Sequence, residues 1–280
     1  MAYRETFFEV LTKAMNAVSS GEAQSEETLA QWQSRLREAA QREVFGAQDL
    51  EARVREEMQR IYSALIEKGG VLSRHKGVAR FGPEKVRPQL RTEMERRIKS
   101  ATDLIRLNRA EAVDTSLRRF IGWSSSIPPG GGGPSDRREE KERIRKGLSG
   151  LPFEERRVLI DQGQKFRQNL SEILAMGNGA IACVWHSHWR QSNYNFREDH
   201  KERDENVYLL KESWAKERGL VKTGEAGYYD DITKAGQEVY CRCYVTWIYR
   251  LSDLPDEMLT ARGREELEKL REAKKRMFSR

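Results

Sequence analysis

The chain has 280 residues, 38% hydrophobic and 34% charged, with a net charge of +7. That is long enough for two units and apolar enough for a packed core, while three cysteines are too few for a disulfide framework. The first twenty residues carry charges throughout and no run of about 18 apolar residues occurs, so neither a secretory signal nor a membrane-spanning helix is expected.

Residues 4 to about 68 read as two or three helices. Leu29, Trp32 and Leu36, then Leu50, Val54, Met58, Ile61 and Leu65, recur at helical spacing. Gly69 and Gly70 form a natural stop. Residues 71–88 hold Gly77, Gly82, Pro83 and Pro88 and predict a loop, after which a helical pattern resumes from Pro88 to about Phe120.

The basic excess gathers here. Residues 71–150 carry a net +9, against −3 for residues 1–70. Arg74, Lys76, Arg80, Lys85, Arg87, Arg91, Arg96, Arg97 and Lys99 are therefore candidates for contact with the phosphates of double-stranded DNA, without base reading. Aromatic residues are scarce in the segment, so backbone attraction is expected rather than base stacking. A solvated helix face is the alternative.

The stretch "GWSSSIPPGGGGPSD" (122–136) holds three prolines and five glycines. It can sustain neither helix nor ladder, so a linker is expected there, dividing a helical region at 1–121 from a module at 137–280. No Lys-Ser/Thr follows its last glycine and no strand precedes it, which argues against a phosphate-binding loop. Beyond it, Ser149 is placed to cap a helix running through Leu159, Phe166, Leu170, Ile173 and Leu174. The texture then changes. "GAIACVWHSHW" (179–189), "NVYLL" (206–210) and "CRCYVTWIY" (241–249) are rich in β-branched and aromatic residues and predict three short strands. A polar helix closes the chain. The expected fold class is α+β: a helical N-terminal region followed by a small mixed module with a short sheet.

That module concentrates the soft metal ligands. His186, His188 and His200 fall between positions 186 and 200, and Cys241 and Cys243 stand one residue apart. The period of two would put His186 and His188 on one face of their strand, and Cys241 and Cys243 on one face of theirs, so adjacent strands could bring four donors together on zinc. Against this, Cys-x-Cys on a flat strand holds its sulfurs apart, so buried packing of small thiols is favoured, with no cofactor, and zinc is the alternative. A disulfide between the two is disfavoured for the same reason. An enzyme is not expected: Cys183 and His186 would point to opposite faces of their strand, and Asp199, Asp204, Asp230 and Asp231 alternate with basic residues as on a solvated surface.

Three pieces occur in order: "VWHSHW" (184–189), "REDH" (197–200) followed by "RDENVYLL" (203–210), and "YCRCYVTWIYRLSDLP" (240–255). Together they resemble the C-terminal half of phage minor head proteins of the Mu-F-like, or head morphogenesis, type. The resemblance covers roughly residues 150–255. Two departures stand out: family members often have glycine where this chain has Glu205, and asparagine or histidine-proline before C-R-C where it has Val239 and Tyr240. The resemblance implies a minor structural protein made in the host cytoplasm and built into the virion interior near the portal. Portal protein, other capsid proteins and packaged DNA would be its partners, in capsid assembly and genome packaging or ejection. Arg197, Asp199, His200, Cys241, Arg242 and Cys243 are then the family motif, with structural roles. A zinc-stabilised DNA-binding protein or nuclease is the rival expectation.

Overall fold

A computed structural model describes residues 4–23, 25–45, 49–78, 82–128, 130–132 and 137–278. It is α+β, with long helices and one small antiparallel sheet. The helices are α1 (Phe7–Ser20), α2 (Glu26–Phe45), α3 (Leu50–Tyr62), α4 (Arg87–Ser124), α5 (Arg138–Ser149), α6 (Leu151–Gly177), α7 (Glu198–Glu202), α8 (Trp214–Glu217) and α9 (Ala261–Phe278). The strands are β1 (Ala182–His186), β2 (Val207–Leu209) and β3 (Tyr244–Ile248). No helix among the described residues is long and apolar enough to cross a membrane.

Two compact units divide the chain: Met1–Val54 with Lys99–Leu159, and Arg55–Ile98 with Ile160–Arg280. The chain passes between them inside α3, α4 and α6. The Gly/Pro-rich stretch at 122–136 falls within the first unit, and Gly122 to Ser124 belong to α4; residue 129 and residues 133–136 lie outside the described residues. Glycine and proline report local backbone freedom, whereas long helices set where contacts divide.

In the first unit, α1 begins with a reciprocal cap. The Thr6 hydroxyl accepts the Glu9 N–H at 3.3 Å and the Glu9 carboxylate accepts the Thr6 N–H at 2.8 Å. Phe7, Val10, Leu11, Ala14, Met15 and Val18 then recur every three or four residues and are all buried, against Leu36, Ala39 and Ala40 of α2, Val113, Leu117 and Phe120 of α4, and Ile144 of α5. Ser149 does not cap the next helix: it ends α5, and its hydroxyl bonds back to the Lys146 carbonyl at 3.3 Å. The first turn of α6 hangs instead on the Gly150 carbonyl, which accepts from Phe153 and Glu154 at 3.1 Å each.

In the second unit, α3 widens into a π turn at Ser63–Glu67 and stops as the sequence predicts. Gly70 is required here, because a Cβ on it would lie 2.6 Å from the Ala64 carbonyl oxygen. The sheet has the order β2-β1-β3, with Cys183 opposite Tyr208 and Trp247, and His186 opposite Tyr244. Both faces are covered. Cys183, Trp185, Tyr208, Val245 and Trp247 pack with Tyr229 and Ala235 on one side, while Ala182, Leu209 and Ile248 pack with Leu220, Leu251 and Leu259 on the other. All three strands lie where the composition placed them, but β3 starts at Tyr244 rather than Cys241. The two thiols therefore sit in the turn before the strand.

Candidate functional site

The C-R-C segment is bent by its backbone. Cys241 N–H donates to the Glu238 carbonyl at 3.2 Å, and Tyr240 between them takes φ 59°, the left-handed region that side chains other than glycine seldom occupy. Asp161 on α6 holds that residue in place by accepting the Tyr240 N–H at 2.7 Å. The turn points both sulfurs inward, and His200 of α7 meets them: its Nδ1 lies 3.6 Å from Cys241 Sγ and 3.5 Å from Cys243 Sγ. All three side chains are buried and their donor atoms fall within 4.8 Å of one another.

The rest of the R-x-D-H element serves this closure. Arg197 donates to the Val239 carbonyl at 3.0 Å and pairs with Glu238 at 2.6 Å, so it clamps the C-R-C turn from the side. Asp199 accepts from Arg203 at 2.9 Å, tying the two ends of α7. Arg242 N–H donates to the Tyr194 hydroxyl at 3.1 Å while its side chain reaches Gln191. Trp185 meets the His200 ring edge-on at 5.4 Å between centroids.

The thiols have unequal acidities. Cys241 is pulled down to about 6, first by the bond it accepts from the Cys243 thiol and then, against burial, by the Gly236 and Cys243 N–H groups and the nearby His200 ring. Cys243, which gives that bond and is buried, is pushed well up. Gly236 can aim its N–H at Cys241 Sγ, 3.4 Å away, because its backbone takes φ 81°.

Three of the five metal candidates are brought together; His186 and His188 are not. Antiparallel partners share a face, and His186 pairs with Tyr244, so both histidines lie opposite to the face that carries Cys243. His186 instead shares a hydrogen bond with Thr246 at 2.9 Å and stacks on Tyr244, which His188 also meets. Glu238, Ser187 and Gly236 are the site residues that spacing did not reveal, since their roles depend on the turn before β3. No disulfide joins the cysteines.

The carboxylates once weighed for catalysis have framework duties. Asp204 accepts the Ser187 N–H at 2.7 Å and the Trp189 indole N–H at 2.8 Å, Asp230 accepts the Lys211 N–H at 2.9 Å, and Asp231 pairs with Lys211. Cys183 is buried in the sheet core, and burial pushes its thiol well up, away from nucleophilic use.

The basic candidates separate into two groups. Arg74 packs over the Tyr244 ring at 4.7 Å and donates to Gln168, and Arg97 is buried against Glu93 at 2.9 Å and Gln162 at 3.0 Å. Arg96 shares Glu93, Arg87 pairs with Glu84, and Lys99, in the first unit, pairs with Asp103 at 2.7 Å. Lys76, Lys85 and Arg91 are exposed and make no ion pair among the described residues. Arg80 lies outside the described residues.

No protein-family model, no curated protein and no solved structure matches the chain.

Proposed function

We propose that this chain is a minor structural protein of a phage head, associated with the portal and with packaged DNA, and acting in capsid assembly and genome packaging or ejection. The observation that carries it is that the R-x-D-H and C-R-C elements, which the sequence offers as separate pieces of one ordered signature, close on each other. Arg197 holds the C-R-C turn and His200 lies against both of its sulfurs. A signature whose members bond to one another around buried His200, Cys241 and Cys243, with Arg197 on the turn that carries the thiols, is read as a framework signature.

Glu205 adds a second support. It adopts φ 68° at the position where the resembled family often has glycine. The backbone shape that such a glycine would serve is therefore present, carried here by glutamate at a cost.

Mass spectrometry of purified particles from cells carrying this gene tests the proposal. Peptides of the chain should be found at low copy relative to the major capsid protein, and its capture from lysate should bring the portal protein with it. Particles free of the chain would overturn it.

A further inference from the structure

We infer that His200 Nδ1, Cys241 Sγ and Cys243 Sγ bind one Zn²⁺ ion, which staples α7 to the turn before β3. With zinc–sulfur bonds of about 2.3 Å and zinc–nitrogen bonds of about 2.0–2.1 Å, tetrahedral geometry separates sulfur from nitrogen by roughly 3.5–3.6 Å. The two sulfur–nitrogen distances here are 3.6 and 3.5 Å. Hydrogen bonding among the three does not require this near-equality, since the Cys243 thiol donates to Cys241 and only one S–H is left for the ring. The imidazole has one in-plane lone pair at Nδ1, enough for one S–H donor, yet both sulfurs stand at the same distance from it.

The opposite side of the ring agrees. His200 Nε2 is buried without a hydrogen-bond partner among the described residues, and Glu238 Oε2 stands 3.3 Å away, itself paired with Arg197 at 2.6 Å. A carboxylate behind a histidine favours the tautomer with hydrogen on Nε2 and leaves Nδ1 free to ligate, the arrangement usual around zinc-bound imidazole. The Gly236 N–H on Cys241 Sγ, at 3.4 Å, stabilises a thiolate in the same way.

The charges balance as well. With both cysteines bound as thiolates the dication is neutralised, so the ion with its ligands carries no net charge into a core lined by Trp185 and Val245. Two thiolates and an imidazole suit zinc better than calcium or magnesium, which take oxygen donors. Among the described residues, three donors converge here. Ser187 Oγ, 3.8 Å from Cys243 Sγ, stands beside them, and the fourth position falls to it or to a water.

Cobalt titration of the full, metal-stripped chain under reducing conditions tests the inference. One equivalent of Co²⁺ should produce thiolate-to-metal charge transfer and the visible bands of a tetrahedral ion, and one equivalent of Zn²⁺ should abolish both. Cys241→Ser should weaken cobalt binding at least tenfold and diminish the charge-transfer band, while His188→Ala should change neither. Should Cys241→Ser fail to fold, X-ray absorption of the zinc-loaded wild-type chain decides, with two sulfur scatterers at about 2.3 Å and nitrogen or oxygen at about 2.0 Å expected. Wild-type protein that shows no tetrahedral cobalt bands, or a zinc shell without sulfur, would overturn the site.

Discussion

His200 Nδ1 stands 3.5 Å from Cys243 Sγ across 43 residues of chain. That closure ties α7 to the turn before β3, so its strength sets how the second unit responds to mutation and, with zinc bound as proposed, to metal. Stripping the chain with a strong chelator should lower its thermal midpoint by about 5–10 °C, corresponding to ~2–3 kcal/mol in a unit of this size, and added zinc should restore it. His200→Ala should start from the lower midpoint and ignore both treatments. A midpoint indifferent to chelator in the wild type would mean that the knot is held by packing alone.

Glu205 pays for its left-handed backbone. Its N–H donates to the Trp185 carbonyl at 2.8 Å, a bond that glycine would keep. Glu205→Gly should therefore be neutral or stabilising by up to about 1 kcal/mol, whereas Glu205→Val should cost about 1–2 kcal/mol. Urea midpoints of the two variants separate the cases, and a Glu205→Gly chain clearly weaker than wild type would refute the strain account.

Trp247 should be the costliest single truncation in the sheet. It is buried, its indole N–H donates to Ser171 at 2.9 Å, and it meets Tyr229 edge-on at 5.7 Å. Trp247→Ala should lose about 3–5 kcal/mol by calorimetry or denaturant unfolding, because the side chains around it cannot collapse into the space.

His75 gives the second unit an acid limit. Burial, then the adjacent Arg74 charge, holds its ring near 4 rather than 6.5, and its nitrogens face the Tyr249 hydroxyl and the Ser171 hydroxyl, the latter at 3.2 Å. With the folded value below the unfolded one, the unfolded chain binds the proton first. The stabilisation is then present above about pH 6.5 and is lost as pH falls toward 4, on the order of 2 kcal/mol between pH 7 and pH 5. His75→Gln cannot titrate, so its stability should vary less over that interval. Equal slopes for the two proteins between pH 7 and 5 would assign the loss to other groups.

What the sequence disclosed and what it hid follow from the range of each signal. Helical spacing at Leu50, Val54 and Met58 and the β-branched texture around Val245 are local, and α3 and β3 were legible from them. Hidden was the register: His186 opposite Tyr244 removes two histidines from the thiols' face, and only pairing between strands 60 residues apart could disclose it. The left-handed Tyr240 was equally hidden, since no glycine marks it, and without that bend Cys-x-Cys looked like a flat strand with diverging sulfurs. The division into units escaped because it runs through helices that have no compositional break.

Charge count exaggerated the basic surface in the same way, and the consequence is measurable. From sequence alone, every lysine or arginine in 74–99 could be removed with little effect on folding. Arg97 contradicts that: it is buried with Glu93, so Arg97→Ala should leave a carboxylate short of its partner and cost roughly 2–3 kcal/mol, whatever it does to DNA. In 74–99, Lys76, Lys85 and Arg91 are exposed and make no ion pair among the described residues, and replacing all three by glutamine should leave the stability within about 0.5 kcal/mol of wild type. If they meet phosphates, the same variant should bind duplex DNA more weakly at every sequence, with the slope of log affinity against log salt shallower by about 2–3, since each phosphate contact contributes about 0.9. An unchanged slope in a fully folded triple variant would move DNA contact off these three residues, and binding that ignores salt altogether would end the electrostatic account.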